Sequence, residues 1–345
     1  MTHTWAEVLG ALTSRTDLTV EQATWAMGEI LAGEATPSQI AGFAVALRTK
    51  GESAAELDGL VEAMYEHAVP LELEGRWLDV VGTGGDRSMS VNISTMAAIV
   101  AAAAGARVVK HGNRSASSKA GAADVLEVLG VRLDLDERQV AELGRRIGLT
   151  FAFAPAFHPA LRHAAETRRD LGVGTTFNFL GPMANPARPA AQAIGCADPR
   201  VAPLMAGVFA RRGVDAWVFR GDDGLDELTT TTTSSLWVVH DGEVVEHSVD
   251  PLRLGLPQGT IEGLRGGDAD HNADVVRRLL AGETGPVHDA VVLNAGAALA
   301  VHAAEAGSFT ERLSAGVARA QRSVDQGEAA AALDRWVAAS QAVGA

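Results

Sequence analysis

The stretch DVVGTGGDRSMSVNIST, Asp79 to Thr95, sets a short apolar run directly against three glycines and an aspartate. A strand that ends in glycines and opens onto a helix lets a ligand approach the backbone closely. It also implies a chain of alternating strands and helices. Neither common phosphate fingerprint fits. The dinucleotide pattern needs a glycine three positions after its second one, where Arg87 follows Gly84. The P-loop needs Gly-Lys after four intervening residues, and Gly82 leads to Arg87-Ser88 instead. Gly82, Gly84 and Gly85 nevertheless let amides turn inward as an anion nest, and the following helix adds its positive end. Asp86 does not belong in a pure anion cradle and suits a sugar hydroxyl or a metal ion. Asn92, Ser94 and Thr95 are either ligand-facing groups or simple helix caps.

Before this stretch the chain reads as helices only, and residues 1–71 form a small helical bundle. Capping boxes mark three starts: Thr19 with Gln22, Thr36 with Gln39, and Ser53 with Glu56. From Trp77 the pattern becomes that of an α/β domain with a mostly parallel sheet. WLDVV, RVVKHG and DAWVFRG read as strands, and Ser94 to Ala104 and AADVLEVLG as helices. SLWVVHDGEVVEHSV reads as a hairpin turning at Asp241-Gly242. HDAVVLNAGAALAV is expected to supply a late strand and helix, the tail from Phe309 is expected to be helical, and Thr229 to Thr233 are expected to be extended.

The 345 residues are 47% hydrophobic and 21% charged, as in an ordinary globular chain of one or two domains. A net charge of −14 argues against nucleic acid and anionic membranes as partners, so an anionic substrate needs a local positive site. Cys196 is the only cysteine, which fits a reducing cytoplasm. The N-terminus carries no secretory pattern, and MAAIVAAAAGARVV is too short and too weakly apolar for a membrane span.

Two more loops have unusual content. KHGNRSASSK offers Lys110, Arg114 and Lys119 with short hydroxyl donors, which is either a diphosphate site or a solvated loop. GDDGLDELTT crowds Asp222, Asp223, Asp226 and Glu227 together without a calcium-loop register. A hard cation bridging to a phosphorylated substrate would relieve their repulsion; alone, the segment reads as an acidic surface turn. Zinc motifs and a nucleophile elbow are absent.

GTGGD, NIST, KHGNRSASS and GLDEL, with HPALRHAAETRRDLGVGTTFNFLGPMANP as a further block, resemble the anthranilate phosphoribosyltransferase family over essentially the whole chain. The resemblance implies a small helical domain, residues 1–71 completed by about 170–189, hinged to a larger α/β domain of residues 72–169 and 190–345. It implies a homodimer, and transfer of phosphoribose from phosphoribosyl pyrophosphate to anthranilate in tryptophan synthesis. Carried over by position, Gly82, Gly85, Asp86, Ser90 and Asn92, Ile93, Ser94 and Thr95 would contact phosphoribosyl pyrophosphate. Lys110, His111, Gly112, Asn113, Arg114, Ser115, Ala116, Ser117 and Ser118 would wrap its phosphates, with Ala122 lining the pocket. Gly82, Asn113 and Arg168 would face anthranilate. Two Mg²⁺ ions are implied, one on the Ser94 hydroxyl and one on Asp226 and Glu227. Gly174 stands where many relatives carry arginine. The chemistry, displacement at the anomeric carbon by a neutral amine, requires no nucleophilic side chain. The rivals are a pyrimidine nucleoside phosphorylase, expected to lack the KHGN and GLDEL blocks, and a silent nucleic-acid-binding relative, expected to be basic.

Overall fold

The computed structural model describes residues 3–115 and 119–344. Four helices come first: α1 (Trp5–Thr13), α2 (Val20–Ala32), α3 (Pro37–Lys50) and α4 (Ala54–Glu66). Each opens on a closed capping box, from Thr4, Thr19, Thr36 and Ser53 respectively. Helices α2 and α4 cross so closely at Gly59 that a Cβ there would collide with the Val20 carbonyl.

The remaining elements alternate. Strand β1 (Leu78–Gly82), α5 (Ile93–Ala103), β2 (Val108–Gly112), α6 (Ala122–Val128), α7 (Glu137–Ile147) and β3 (Leu149–Phe153) form the first half. Short α8 (Ala154–Phe157), α9 (Arg162–Leu171) and short α10 (Phe177–Leu180) follow, and α9 packs back onto α2 and α3. Then come β4 (Ala191–Gly195), α11 (Ala202–Arg212), β5 (Asp215–Gly221), β6 (Ser234–His240) and β7 (Glu243–Val249). The chain finishes with α12 (Ala269–Leu280), α13 (Pro286–Ala303), α14 (Phe309–Asp325) and α15 (Glu328–Ala342).

One seven-stranded sheet runs β3-β2-β1-β4-β5-β6-β7. Strands β1 to β5 pair in parallel, and β6 and β7 form an antiparallel edge. Asp241 and Gly242 both take positive φ (48° and 78°), as a two-residue hairpin turn needs. Alternate residues feed two cores. Val80, Ala193 and Trp217 join the core built with α5, α13, α14 and α15. Val81, Ile194 and Val218 join a second core shared with α11 and with the first four helices. Among the described residues, no helix is long and apolar enough to cross a membrane.

Two expectations fail, and two strands were not foreseen. The segment HDAVVLNAGAALAV holds no strand: it lies wholly within α13, which is buried on every side over Ala290–Val301. An all-round apolar run carries no period to separate helix from strand, and only its length favours helix. Thr229 to Thr233 are not extended but form a loop whose hydroxyls are held by Asp222 and Asp223. Strands β3 and β4 were not anticipated, because each is a five-residue buried segment embedded in longer mixed sequence.

Helices α13 and α14 touch at Gly296 and Gly316, where a Cβ on Gly316 would run into the Gly296 carbonyl. Gly316→Ala should therefore destabilise the protein by about 1–3 kcal/mol in urea unfolding. An unchanged midpoint would contradict the close crossing.

Candidate active site

Strands β1, β2, β4 and β5 are parallel, so their carboxyl ends lie on one edge of the sheet, where such sheets collect ligands. All three unusual loops leave from this edge, after Gly82, Gly112 and Gly221.

At the centre lie Asp226 and Glu227, only 8% and 7% exposed. The Gly84 amide donates to Asp226 Oδ2 at 2.6 Å, and the Ser94 amide to Glu227 Oε1 at 3.2 Å. Gly82 and Gly195 are register partners on β1 and β4. A Cβ on the first would collide with the Asp226 carboxylate, and one on the second with its carbonyl. Burial, then the nearby Asp86 charge, pushes the Asp226 pKa up to about 7. Burial, then Asp226, raises Glu227 well above its ordinary value, with Lys110 opposing. Lys110 is itself buried, its Nζ donating to the Val80 carbonyl at 2.6 Å and to Ser94 Oγ at 3.2 Å. One ammonium does not balance these carboxylates. The hard oxygen donors of Ser94, Asp226 and Glu227 fit a divalent cation such as Mg²⁺. No group of three or more His, Cys, Asp or Glu suited to an ion occurs among the described residues, so further ligands would come from water or substrate.

Around this centre the loop after β1 bends sharply, with positive φ at Gly84, Gly85, Arg87 and Met89. Left-handed backbone at Arg87 and Met89 is strain of the sort found at binding sites. Asp86 holds Ser88 through its hydroxyl (2.7 Å) and amide (3.2 Å), and Ser88 Oγ accepts from the Ser90 amide. Asn92 is not a side-chain cap of α5. It donates to the Ala120 carbonyl at 3.1 Å and accepts from Asn272 at 2.8 Å, tying three segments together. Ile93 and Thr95 are buried in the helix.

In the second loop, His111 is buried against the His158 ring, and burial pushes its pKa down to about 3. It is a neutral packing residue whose Nδ1 pairs with the Gly181 carbonyl. Its amide donates to buried Asp79, which Asn185 also holds at 2.9 Å. Gly112 leaves no room for a side chain: a Cβ would lie 2.9 Å from Phe151 and 3.5 Å from the Ala122 methyl. Asn113 accepts from the Arg114 amide at 2.7 Å, and the Ser115 amide donates to Asp124. Arg114 was expected to supply free positive charge; it is instead engaged by Asp124 (2.8 Å) and Glu127 (2.6 Å). Ala116, Ser117 and Ser118 lie outside the described residues.

The acidic cluster divides. Asp222 and Asp223 hold the threonine loop, which leaves Asp226 and Glu227 at the centre. Arg168 sits on α9, with the helices rather than the sheet. It is half-buried over the Phe177 ring at 5.4 Å, and burial lowers its pKa. Nothing lies within 4 Å of a Cβ on Gly174, so that glycine answers to no steric demand. Gly195, Asp79 and Asn185 were missed. Asp79 and Asn185 lie within motif stretches whose other residues drew the reading, and only strand pairing and long-range hydrogen bonds reveal what the three do.

The chain matches two family models: the helical bundle domain of the glycosyl transferase family over residues 6–68, and the a/b domain of that family over residues 74–330. It is 69% identical over 337 residues to an anthranilate phosphoribosyltransferase from a Nocardioides species, covering 98% of this chain and 99% of that protein. The crystal structure of anthranilate phosphoribosyltransferase from Thermus thermophilus is 41% identical, covers 97% of this chain and 99% of its own, and superposes with a TM-score of 0.91. The fold extends to the Saccharomyces cerevisiae enzyme in complex with phosphoribosyl pyrophosphate and Mg. That protein is 24% identical, with TM-score 0.88 and 98% coverage of each chain.

The raised Asp226 pKa has a definite stability consequence. The protonated native form contributes stability below pH 4 that is lost as pH rises to about 7. In metal-free buffer, Asp226→Asn should stabilise the protein by at least about 1 kcal/mol at pH 8, the gain shrinking toward pH 4. Thermal unfolding across that range checks the sign, and a pH-independent gain would refute it.

Proposed function

The chain belongs to the anthranilate phosphoribosyltransferase family, and on that premise we propose that it transfers phosphoribose from phosphoribosyl pyrophosphate to the amine of anthranilate. The products are N-(5-phosphoribosyl)anthranilate and pyrophosphate, and the step belongs to tryptophan biosynthesis. The observation that carries the reading is the convergence of the glycine loop, buried Lys110 and the Asp226–Glu227 pair on one edge of the sheet.

In this reading Gly82, Gly85 and Asp86, with Ser90 and the start of α5, receive the phosphorylated sugar. The loop after β2 contacts its phosphates. Ser94, and Asp226 with Glu227, would hold Mg²⁺, which would supply neutralising charge for the departing pyrophosphate. Lys110 holds Ser94 Oγ in place; burial lowers its pKa, and the carboxylates of Asp79, Glu227 and Asp226 oppose that shift. Positive charge builds on the ribose ring as the bond breaks, and anthranilate's neutral amine attacks without a base, so positioning and electrostatics supply the catalysis. Arg168 offers a guanidinium with no carboxylate ion pair among the described residues, which suits anthranilate's carboxylate. Gly82 and Asn113 complete that side. The protein acts as a cytoplasmic homodimer in this proposal, which rests on family membership.

Mixing the protein with anthranilate, phosphoribosyl pyrophosphate and Mg²⁺ should extinguish anthranilate fluorescence only when all components are present. Persistent fluorescence would end the proposal. Arg168→Ala should raise the anthranilate KM by about tenfold with kcat changed much less, as expected for a lost charge-assisted contact. An unchanged KM would remove that assignment. Asp226→Asn combined with Glu227→Gln should flatten the Mg²⁺ dependence of the rate; a wild-type response would contradict the metal role.

A further inference from the structure

A second cavity, of about 220 Å³, lies behind the glycine loop at the start of α13. That helix is 18 residues long, begins at Pro286 after Gly285, and has no side-chain cap. Its first amides past the proline point out of the helix without intrahelical acceptors, beneath the positive end of a long dipole. His288 lines the cavity, is 6% exposed, and has no hydrogen-bond partner for its Nε2. Its Nδ1 pairs with Asp289 Oδ1 at 3.0 Å, which fixes the ring and leaves Nε2 to face the cavity. Arg265 and His271 also line the cavity, and among the described residues neither side chain makes an ion pair or hydrogen bond. Arg278 completes the basic wall but is engaged by Asp274 at 3.1 Å and by Glu283 at 2.9 Å, which neutralises the one carboxylate in the lining.

We propose that this cavity, formed by the uncapped start of α13 with His288, Arg265 and His271, is a second anion site that takes inorganic phosphate. In a protein of net charge −14, an uncapped helix start, an orphaned buried imidazole and the Arg265 guanidinium meeting in one pocket match an oxyanion and no neutral ligand. Its lining includes none of Gly82, Lys110, Asp226 or Glu227, yet its wall is bonded to the glycine loop. The Val91 amide donates to the Leu264 carbonyl at 2.9 Å, the Gly266 amide to the Met89 carbonyl at 2.8 Å, and Ser90 bridges Arg265. Occupation therefore steadies the strained segment that carries Arg87 and Met89. The inference stands on this geometry and does not require the proposed reaction.

The test is calorimetric titration of the full chain with inorganic phosphate. Wild type should bind phosphate, Arg265→Ala should weaken binding about tenfold or more, and His288→Gln should weaken it likewise. Arg265 is exposed, so an unchanged melting temperature for Arg265→Ala shows that the fold is intact. Absence of binding to wild type at millimolar phosphate would overturn the site, as would equal affinity in wild type and folded Arg265→Ala.

Discussion

Asp226 occupies space that the sheet makes available only because two paired strands end in glycine. Its carboxylate lies where a Gly82 side chain would be and its carbonyl where a Gly195 side chain would be. This wedge puts a buried carboxylate at the mouth of a parallel sheet and brings Glu227 beside Ser94 at the start of α5. Buried negative charge has to be answered locally. Here the answers are the Gly84 amide, the Lys110 ammonium behind the sheet, and the capacity for a hard cation in front. The requirement for glycine in the opening loop is thus divided: Gly82 yields space, whereas Gly84 and Gly85 supply left-handed backbone.

The two sides of the site sit on different parts of the fold. The glycine loop and the loop after β2 rise from strands hydrogen-bonded to one another, whereas Arg168, proposed for anthranilate, rides on α9 against α2 and α3. Asp79, Asn185 and His111 link these parts: they tie β1 and β2 to the segment around Gly181 by buried hydrogen bonds.

Much of this was legible in the sequence, and the limits are physical. Thr19, Thr36 and Ser53 announced helix starts because capping is settled within four residues, and Asp241-Gly242 announced a hairpin for the same local reason. The strand in α13 was misread because burial on all sides erases periodicity. The threonine run was misread because propensity favours strand, while Asp222 and Asp223 hold the hydroxyls in a loop. At the candidate site, residue types pointed to three loops that the fold brings to one edge of the sheet. They did not reveal which acids turn inward, that Arg114 is occupied by Asp124 and Glu127, or that Gly195 is as constrained as Gly82, since these depend on pairing distant in sequence.

One face of the sheet shares its apolar core with the first four helices, through Val81, Ile194, Ala206 and Val218. During synthesis those helices leave the ribosome well over a hundred residues ahead of Ile194, Ala206 and Val218, which make up much of the surface they will cover. At roughly 5–20 residues per second they wait on the order of ten seconds with apolar sides bare. The nascent chain is therefore a natural client for chaperones at its amino end, and translation speed through the middle third bears directly on the yield of folded protein.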